Sequence, residues 1–155
     1  MRLAIAVALS VTLTACGSEP APGAGQDWIE VPLEDNVYSE LVEGYRTDTL
    51  EVNVPPGPGL EVKLAMRQGA PLVYTWHVDD MKDPAQLTSE FHGHTERQGG
   101  EPGTVMFYRK ATGDRESGSL LAPFDGIHGW FFRNDSSAPI VVQLEVAGFY
   151  TLTGQ

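Results

Sequence analysis

Two histidines lie two residues apart in the segment EFHGHTE, residues 90 to 96. In a β-strand, side chains at positions i, i+2 and i+4 point to the same face. His92 and His94 are therefore expected to share a face, and Glu96 continues the same alternation. Two imidazoles and a carboxylate that converge on one point suit zinc, copper or nickel. The spacing predicts a transition-metal site, and the alternative is a solvated polar end of a strand.

A third histidine lies in GIHGWFFRN, residues 126 to 134, between two glycines and just before three aromatic residues. His128 is a further candidate ligand if folding brings it close to His92. The alternative is a structural histidine that forms hydrogen bonds inside an aromatic core. Large aromatic side chains are expected to form the wall of the site. The predicted wall residues are Tyr74, Trp76 and Trp130.

Catalytic signatures are missing from the sequence, which contains no G-x-S-x-G, P-loop or H-E-x-x-H motif. We therefore expect a protein that is not an enzyme. One alternative is a cupin-like metalloenzyme, because His-x-His is followed by a set that loosely resembles the second cupin motif. Its spacings differ from the cupin pattern. The residues of that set are Pro123, Gly126, His128 and Asn134.

The elements that must position these residues are short strands. LEVKLAM (60–66) alternates apolar and polar residues, and in PIVVQLEVAGFY (139–150) the residues Ile140, Val142, Leu144 and Val146 share an apolar face. Six further segments alternate in the same way or lie between turn residues, and they are 49–54, 71–78, 88–94, 104–110, 118–124 and 127–133. About eight strands in roughly a hundred residues predict an all-β fold, an antiparallel β-sandwich of jelly-roll type.

The N-terminal region predicts an exported lipoprotein. An apolar run from Leu3 to Leu13 is too short to span a bilayer and ends in LTAC, which resembles a lipobox. Cys16, the only cysteine, would carry the lipids that anchor the chain. Residues 1–15 are therefore predicted to be a signal peptide. Residues 16–34 are predicted to be the lipidated cysteine and a flexible linker, 35–46 a short helix, and 47–155 the β-sandwich.

The charge of the chain limits its partners. The formal net charge is −11, and removing Arg2 with the signal peptide makes the mature chain more negative by one. Such a surface excludes nucleic acid as the expected partner and is compatible with cations. Gly17 follows Cys16 where inner-membrane lipoproteins have an aspartate, so we expect an outer-membrane anchor that faces the periplasm.

Several segments together resemble a family of small bacterial envelope proteins usually labelled "transmembrane anchor protein". They are VYTW (73–76), FHG (91–93), SLLAPFDGIHGWFFRN (119–134) and VVQLEVAGFY (141–150). The resemblance covers residues 45 to 150 and is most specific in the F-D-G-x-H-G-W block. The matching positions are Tyr74, Trp76, His92, Gly93, Phe124, Gly126, His128, Gly129, Trp130 and Asn134.

The resemblance implies a β domain that faces the periplasm, and it suggests a link to heavy-metal efflux systems, near which such proteins often occur. This chain departs from the family in two ways. It has a lipobox where the family has an uncleaved membrane helix, and it has His94 where relatives often have an acidic residue. The leading hypothesis is a lipid-anchored accessory protein that binds a transition-metal cation for envelope metal handling, with efflux or other envelope proteins as partners. Its expected ligands are His92 and His128, with His94, His77 or Glu96 as additional candidates. The alternative is a non-catalytic interaction or assembly module with structural histidines.

Overall fold

The computed structural model describes residues 29–35, 37–41, 44–96 and 103–154. The chain divides into two compact units, Met1–Val37 and Tyr38–Gln155. In the first unit the described residues have neither helix nor strand, and Asp35 lies in a turn. The predicted signal peptide, the lipidated Cys16 and the first part of the linker lie outside the described residues. The remaining residues of the predicted linker, 29–34, are exposed and have neither helix nor strand.

The described residues of the second unit contain nine β-strands and one short 3-10 turn, Pro84–Gln86. The predicted eight strands are all present, with bounds that differ by a few residues. A ninth strand follows the last predicted one, because the chain turns at Phe149 and then pairs with residues 63–65. The strands are β1 Arg46–Val54, β2 Leu60–Met66, β3 Pro71–His77, β4 Leu87–His94, β5 Val105–Thr112, β6 Arg115–Leu121, β7 Gly126–Asn134, β8 Ile140–Gly148 and β9 Thr151–Gly154.

The strands form two antiparallel sheets that pack face to face. Sheet A has the order β1-β8-β3-β6 and sheet B has the order β5-β4-β7-β2-β9. Every connection between consecutive strands except β4–β5 crosses from one sheet to the other. This order is that of an eight-stranded jelly roll, to which β9 adds one edge strand. The predicted all-β sandwich is confirmed.

The core lies between the sheets and follows the predicted alternation. In β8, Val142, Leu144 and Val146 are at most 1% exposed, while Glu145 between them faces solvent. Alternate residues of β3 and β7 also lie in the core, with the same period of two. Aromatic rings fill its centre: Trp130 stacks on Phe91 at a centroid distance of 4.6 Å. Aromatic pairs of this kind add about 0.5–1.5 kcal/mol each beyond the area they bury.

The short helix predicted for residues 35–46 does not appear in the described part of that segment. Asp35 lies in a turn, residues 38–41 and 44–45 are irregular, and Arg46 already belongs to β1. Positions 36, 42 and 43 lie outside the described residues. The physical reason is that a helix of three turns at most is marginal unless its apolar face packs against something. Val37 and Tyr38, which belong to that face and its flank, are both 70% exposed.

Asn134 joins the end of β7 to two other parts of the domain. Its side-chain amide is fully buried, and Nδ2 donates to the carbonyl oxygens of Val54 at 3.1 Å and Ala138 at 2.8 Å. Its Oδ1 accepts a hydrogen bond from the backbone N–H of Ser136. The asparagine thus has a structural role, because a buried amide must find partners for its polar atoms.

Within the described residues, no helix is long and apolar enough to cross a membrane.

Gly129 is a position where the strand requires glycine. Its φ is +156°, and a Cβ there would lie 1.9 Å from the carbonyl oxygen of Val62 on β2. The close approach lets β7 pair with β2 and β4 at once, since Gly129 stands opposite both Lys63 and His92. A side chain at this point would push apart the strands that carry the candidate site.

We predict that Gly129→Ala destabilises the domain by about 3 kcal/mol or more, because the added methyl group overlaps backbone rather than a movable side chain. Urea unfolding followed by tryptophan fluorescence measures this change. The matched control is Gly154→Ala, where an added Cβ meets no atom within 4 Å. If the two variants have equal free energies of unfolding, β2 and β7 can separate without loss of stability, and the prediction is wrong.

Candidate functional site

The candidate ligands lie on two neighbouring strands of sheet B, but on opposite faces. β4 and β7 pair so that Gly93 stands opposite His128 and His92 stands opposite Gly129. The odd-numbered residues of β4 and the even-numbered residues of β7 point into the core. His92 and His94 therefore lie on the outer face of sheet B, while His128 lies on the inner face. The predicted face shared by His92 and His94 is found, but His128 does not join them.

His128 is a buried structural histidine. Its side chain is 1% exposed, and Nε2 lies 3.1 Å from the carbonyl oxygen of Phe124. A carbonyl can only accept, so Nε2 carries the proton and Nδ1 accepts a hydrogen bond from the Tyr108 hydroxyl at 2.7 Å. Burial raises the pKa of Tyr108 to about 12, so the hydroxyl keeps the proton it donates. Both ring nitrogens are engaged, and the imidazole has no lone pair left for a metal.

The structure therefore places His128 in a hydrogen-bonded part of the core and not among the predicted metal ligands. A single site shared by the three histidines, which the cupin-like alternative also needs, has no geometric basis here. Strand alternation is the physical reason. Gly93 stands opposite His128, so these two positions share the inner face, and the neighbours of Gly93, His92 and His94, point to the outer face.

Gly93 makes the Tyr108–His128 hydrogen bond possible. A Cβ at Gly93 would lie 2.2 Å from the Tyr108 hydroxyl and 2.4 Å from Nδ1 of His128. The glycine in the segment FHGH therefore leaves the space in which the two side chains meet. Tyr108 was missed by sequence reasoning, because a β-bulge between Phe91 and His92 in the β4–β5 pairing sets its direction. The glycine between two histidines was the available signal.

The three predicted wall residues belong to the core rather than to one site. Trp76 and Trp130 are at most 1% exposed, and their rings pack against other aromatic rings. Tyr74 is 8% exposed, and its hydroxyl donates to Glu116. It lines a different pocket, of about 490 Å³, which opens between the edge strands β5 and β6. The bulk of these residues reflects packing, so the predicted wall around His92 is not formed by them.

The outer face of sheet B holds the remaining candidates in a groove of about 860 Å³. We call this feature the histidine groove. Phe107 borders His92 at a ring distance of 5.6 Å. Glu96 lies just beyond the end of β4, and its side chain is exposed at the mouth of the groove. The lining residues are Glu61, Glu90, His92, His94, Thr95, Glu96, Gly103, Thr104, Val105, Phe107 and Phe131.

Backbone carbonyls orient both histidines of the groove. Nδ1 of His92 lies 3.2 Å from the carbonyl oxygen of Glu90, and Nδ1 of His94 lies 3.1 Å from that of Thr95. Each Nδ1 is therefore the donor, which leaves the lone pair of each neutral imidazole on Nε2. The two rings lie 6.3 Å apart at an interplanar angle of 23°. Metal-binding histidines are commonly held in this way, with the second nitrogen bonded to a carbonyl or carboxylate.

Acidic side chains lie close to the pair. Nε2 of His92 is 3.8 Å from Oε1 of Glu61 on β2, a residue that sequence reasoning did not select. Glu90 is held by Lys110 at 2.9 Å. As they stand, the described residues include no group of three or more His, Cys, Asp or Glu side chains placed to hold a metal ion. Coordination in the histidine groove therefore requires side-chain rotation.

We predict that the domain loses stability when the pH falls below about 6.5, the ordinary pKa of histidine. Burial lowers the pKa of His128 in the folded chain, while the unfolded chain takes up the proton at the ordinary value. Protons therefore bind preferentially to the unfolded state in this range, and the free energy of unfolding decreases with decreasing pH. Urea unfolding between about pH 8 and about pH 5 measures the slope.

The control is His128→Gln, since an amide can still donate to the Phe124 carbonyl and accept from Tyr108 but cannot be protonated. This variant is expected to show a smaller decrease than wild type over the same pH range. Parallel losses in wild type and His128→Gln would contradict a neutral buried imidazole.

Comparisons with known proteins do not assign the chain to a family. No protein-family model matches the sequence, and no curated protein sequence matches it significantly.

Proposed function

We propose that the chain is a lipid-anchored, non-catalytic binding protein of the bacterial envelope, and that the histidine groove takes a transition-metal cation. The observation that carries this proposal is the orientation of His92 and His94. Their Nδ1 atoms are used by backbone carbonyls, so both Nε2 lone pairs are available on the same face of β4. Imidazole ligands of this kind suit zinc, copper or nickel.

Side-chain rotation is enough to assemble the pair around one ion. Residues two apart on a strand keep their side chains on one face, and changes of side-chain rotamer on binding are common. The acidic net charge of the chain raises the concentration of cations around the protein. A module that collects cations at the periplasmic face of a membrane would serve metal handling, which agrees with the resemblance to proteins near heavy-metal efflux systems.

The test is calorimetric titration of zinc, copper and nickel into the lipid-free chain, residues 17–155. We expect binding in the micromolar range or tighter. His92→Ala and His94→Ala are each expected to weaken binding at least about tenfold, because each removes one of the nitrogen ligands. His77→Ala, on the other sheet, is the matched control and is expected to bind like wild type. Failure of the wild-type chain to bind any of the three cations would reject the proposal.

A second candidate function is a non-catalytic assembly module in which the histidines serve only the fold. The observation that favours it is His128, whose two nitrogens are both hydrogen-bonded inside the core. The titration separates the two candidates. The assembly module is favoured if none of the cations binds and the His92→Ala and His94→Ala variants stay folded.

The lipid anchor has its own test. We predict that Cys16→Ser abolishes labelling by a fatty-acid probe and moves the protein from the membrane fraction to the soluble periplasmic fraction. Ser18→Ala, two residues further along the chain, is expected to keep both labelling and membrane association. A Cys16→Ser variant that remains lipid-labelled would show that the anchor lies elsewhere.

A further inference from the structure

Glu61 and Lys63 on β2 face the histidine groove across a glycine. In sheet B, Gly129 stands between His92 of β4 and Lys63 of β2, and all three positions lie on the outer face. Because Gly129 has no side chain, the carboxylate of Glu61 and the ring of His92 approach each other over it. The contact joins residues that are about thirty positions apart in the sequence, so it exists only in the folded sheet.

The distance between the two groups is close to that of metal ligands. Two atoms bound to one tetrahedral ion at about 2.0 Å from it lie roughly 3.3 Å apart. Nε2 of His92 and Oε1 of Glu61 are 3.8 Å apart, so a small rotation brings them to that separation. Both side chains are already partly buried against the sheet, 14% and 39% exposed, which limits their freedom before an ion binds.

The second oxygen of Glu61 already holds a cation. Nζ of Lys63 lies 2.8 Å from Oε2 of Glu61, and both side chains lie on the same face of β2. The ammonium group therefore reduces the negative charge that the carboxylate of Glu61 offers to a metal ion at Oε1. Lys63 is nearly half exposed, so its side chain can swing into solvent at little cost.

On the basis of the proposed function, we propose that Glu61 is the third metal ligand in the histidine groove. Lys63 is then a displaceable cation that weakens metal binding. Two imidazoles and one carboxylate leave a fourth position open, as in zinc sites that exchange a water or ligand. This set favours zinc and similar cations over magnesium and calcium, which prefer sites made of oxygen.

The other carboxylates of the groove are less suited to this role. Lys110, which pairs with Glu90, also lies 3.7 Å from the centre of the Phe107 ring. This lysine is held by two partners, so it releases its carboxylate less readily than Lys63 does. Glu96 is exposed beyond the end of β4 and has more conformational freedom to lose on binding a metal.

The test is zinc titration of the lipid-free chain and its variants, with magnesium as the comparison cation. Glu61→Gln is expected to weaken zinc binding roughly tenfold or more, because a neutral amide is a poor ligand. Lys63→Met is expected to strengthen it about threefold or more, because the competing charge is removed. Glu145→Gln and Lys82→Met, which are outside the groove, make the same changes of charge and are expected to have much smaller effects.

The outcomes distinguish this inference from the proposed function. If zinc binding depends on His92 and His94 but Glu61→Gln binds like Glu145→Gln, the third ligand is wrong and the proposed function remains. If Lys63→Met weakens binding, the displacement is wrong. If the wild-type chain binds no cation, both proposals are rejected. Thermal unfolding without metal shows whether Glu61→Gln is still folded, and rescue of zinc affinity by Glu61→Asp would separate a ligand from a structural residue.

Discussion

The hydrogen bond between Tyr108 and His128 is the interaction on which the organisation of sheet B depends. It crosses β4 at Gly93, because Tyr108 comes from β5 and His128 from β7. The same imidazole also holds the Phe124 carbonyl just before β7 begins. Three strands and one loop thus meet at one buried polar group. A buried imidazole without these partners would cost about 1–3 kcal/mol for each unpaired atom, so the strand register that satisfies it is favoured.

This register decides where the chemistry of the domain lies. With His128 facing the core, Phe91 and Trp130 face the core beside it and stack on each other. The alternate positions of the same strands then face outward, among them His92 and His94. The inner face of sheet B therefore packs in the core, and the outer face carries polar groups. The three histidines of sheet B divide into a structural one and a chemically available pair, although all three are close in the sheet.

Glycine residues give this sheet both its close packing and its open groove. Gly129 permits the approach of β2 to β7 and leaves a gap on the outer face between His92 and Lys63. Gly93 leaves the corresponding gap on the inner face, which the Tyr108 hydroxyl and His128 fill. The histidine–glycine steps at both sites therefore have a physical reason. In each case the glycine that follows a histidine leaves space on one face of the sheet, and polar side chains of other strands lie next to that space.

The sequence by itself determined the fold class, the first eight strands and most of the core, because a period of two shows which residues share a face. It also determined that His92 and His94 lie together. It did not decide which face of β7 is buried, since both faces are apolar in IHGWFFR and alternation alone cannot choose between them. Only the tertiary structure placed His128 in the core, Tyr108 beside it and Glu61 near His92. These neighbours come from different strands, and the long-range register that pairs strands is set by the packing of the whole sandwich rather than by any local pattern.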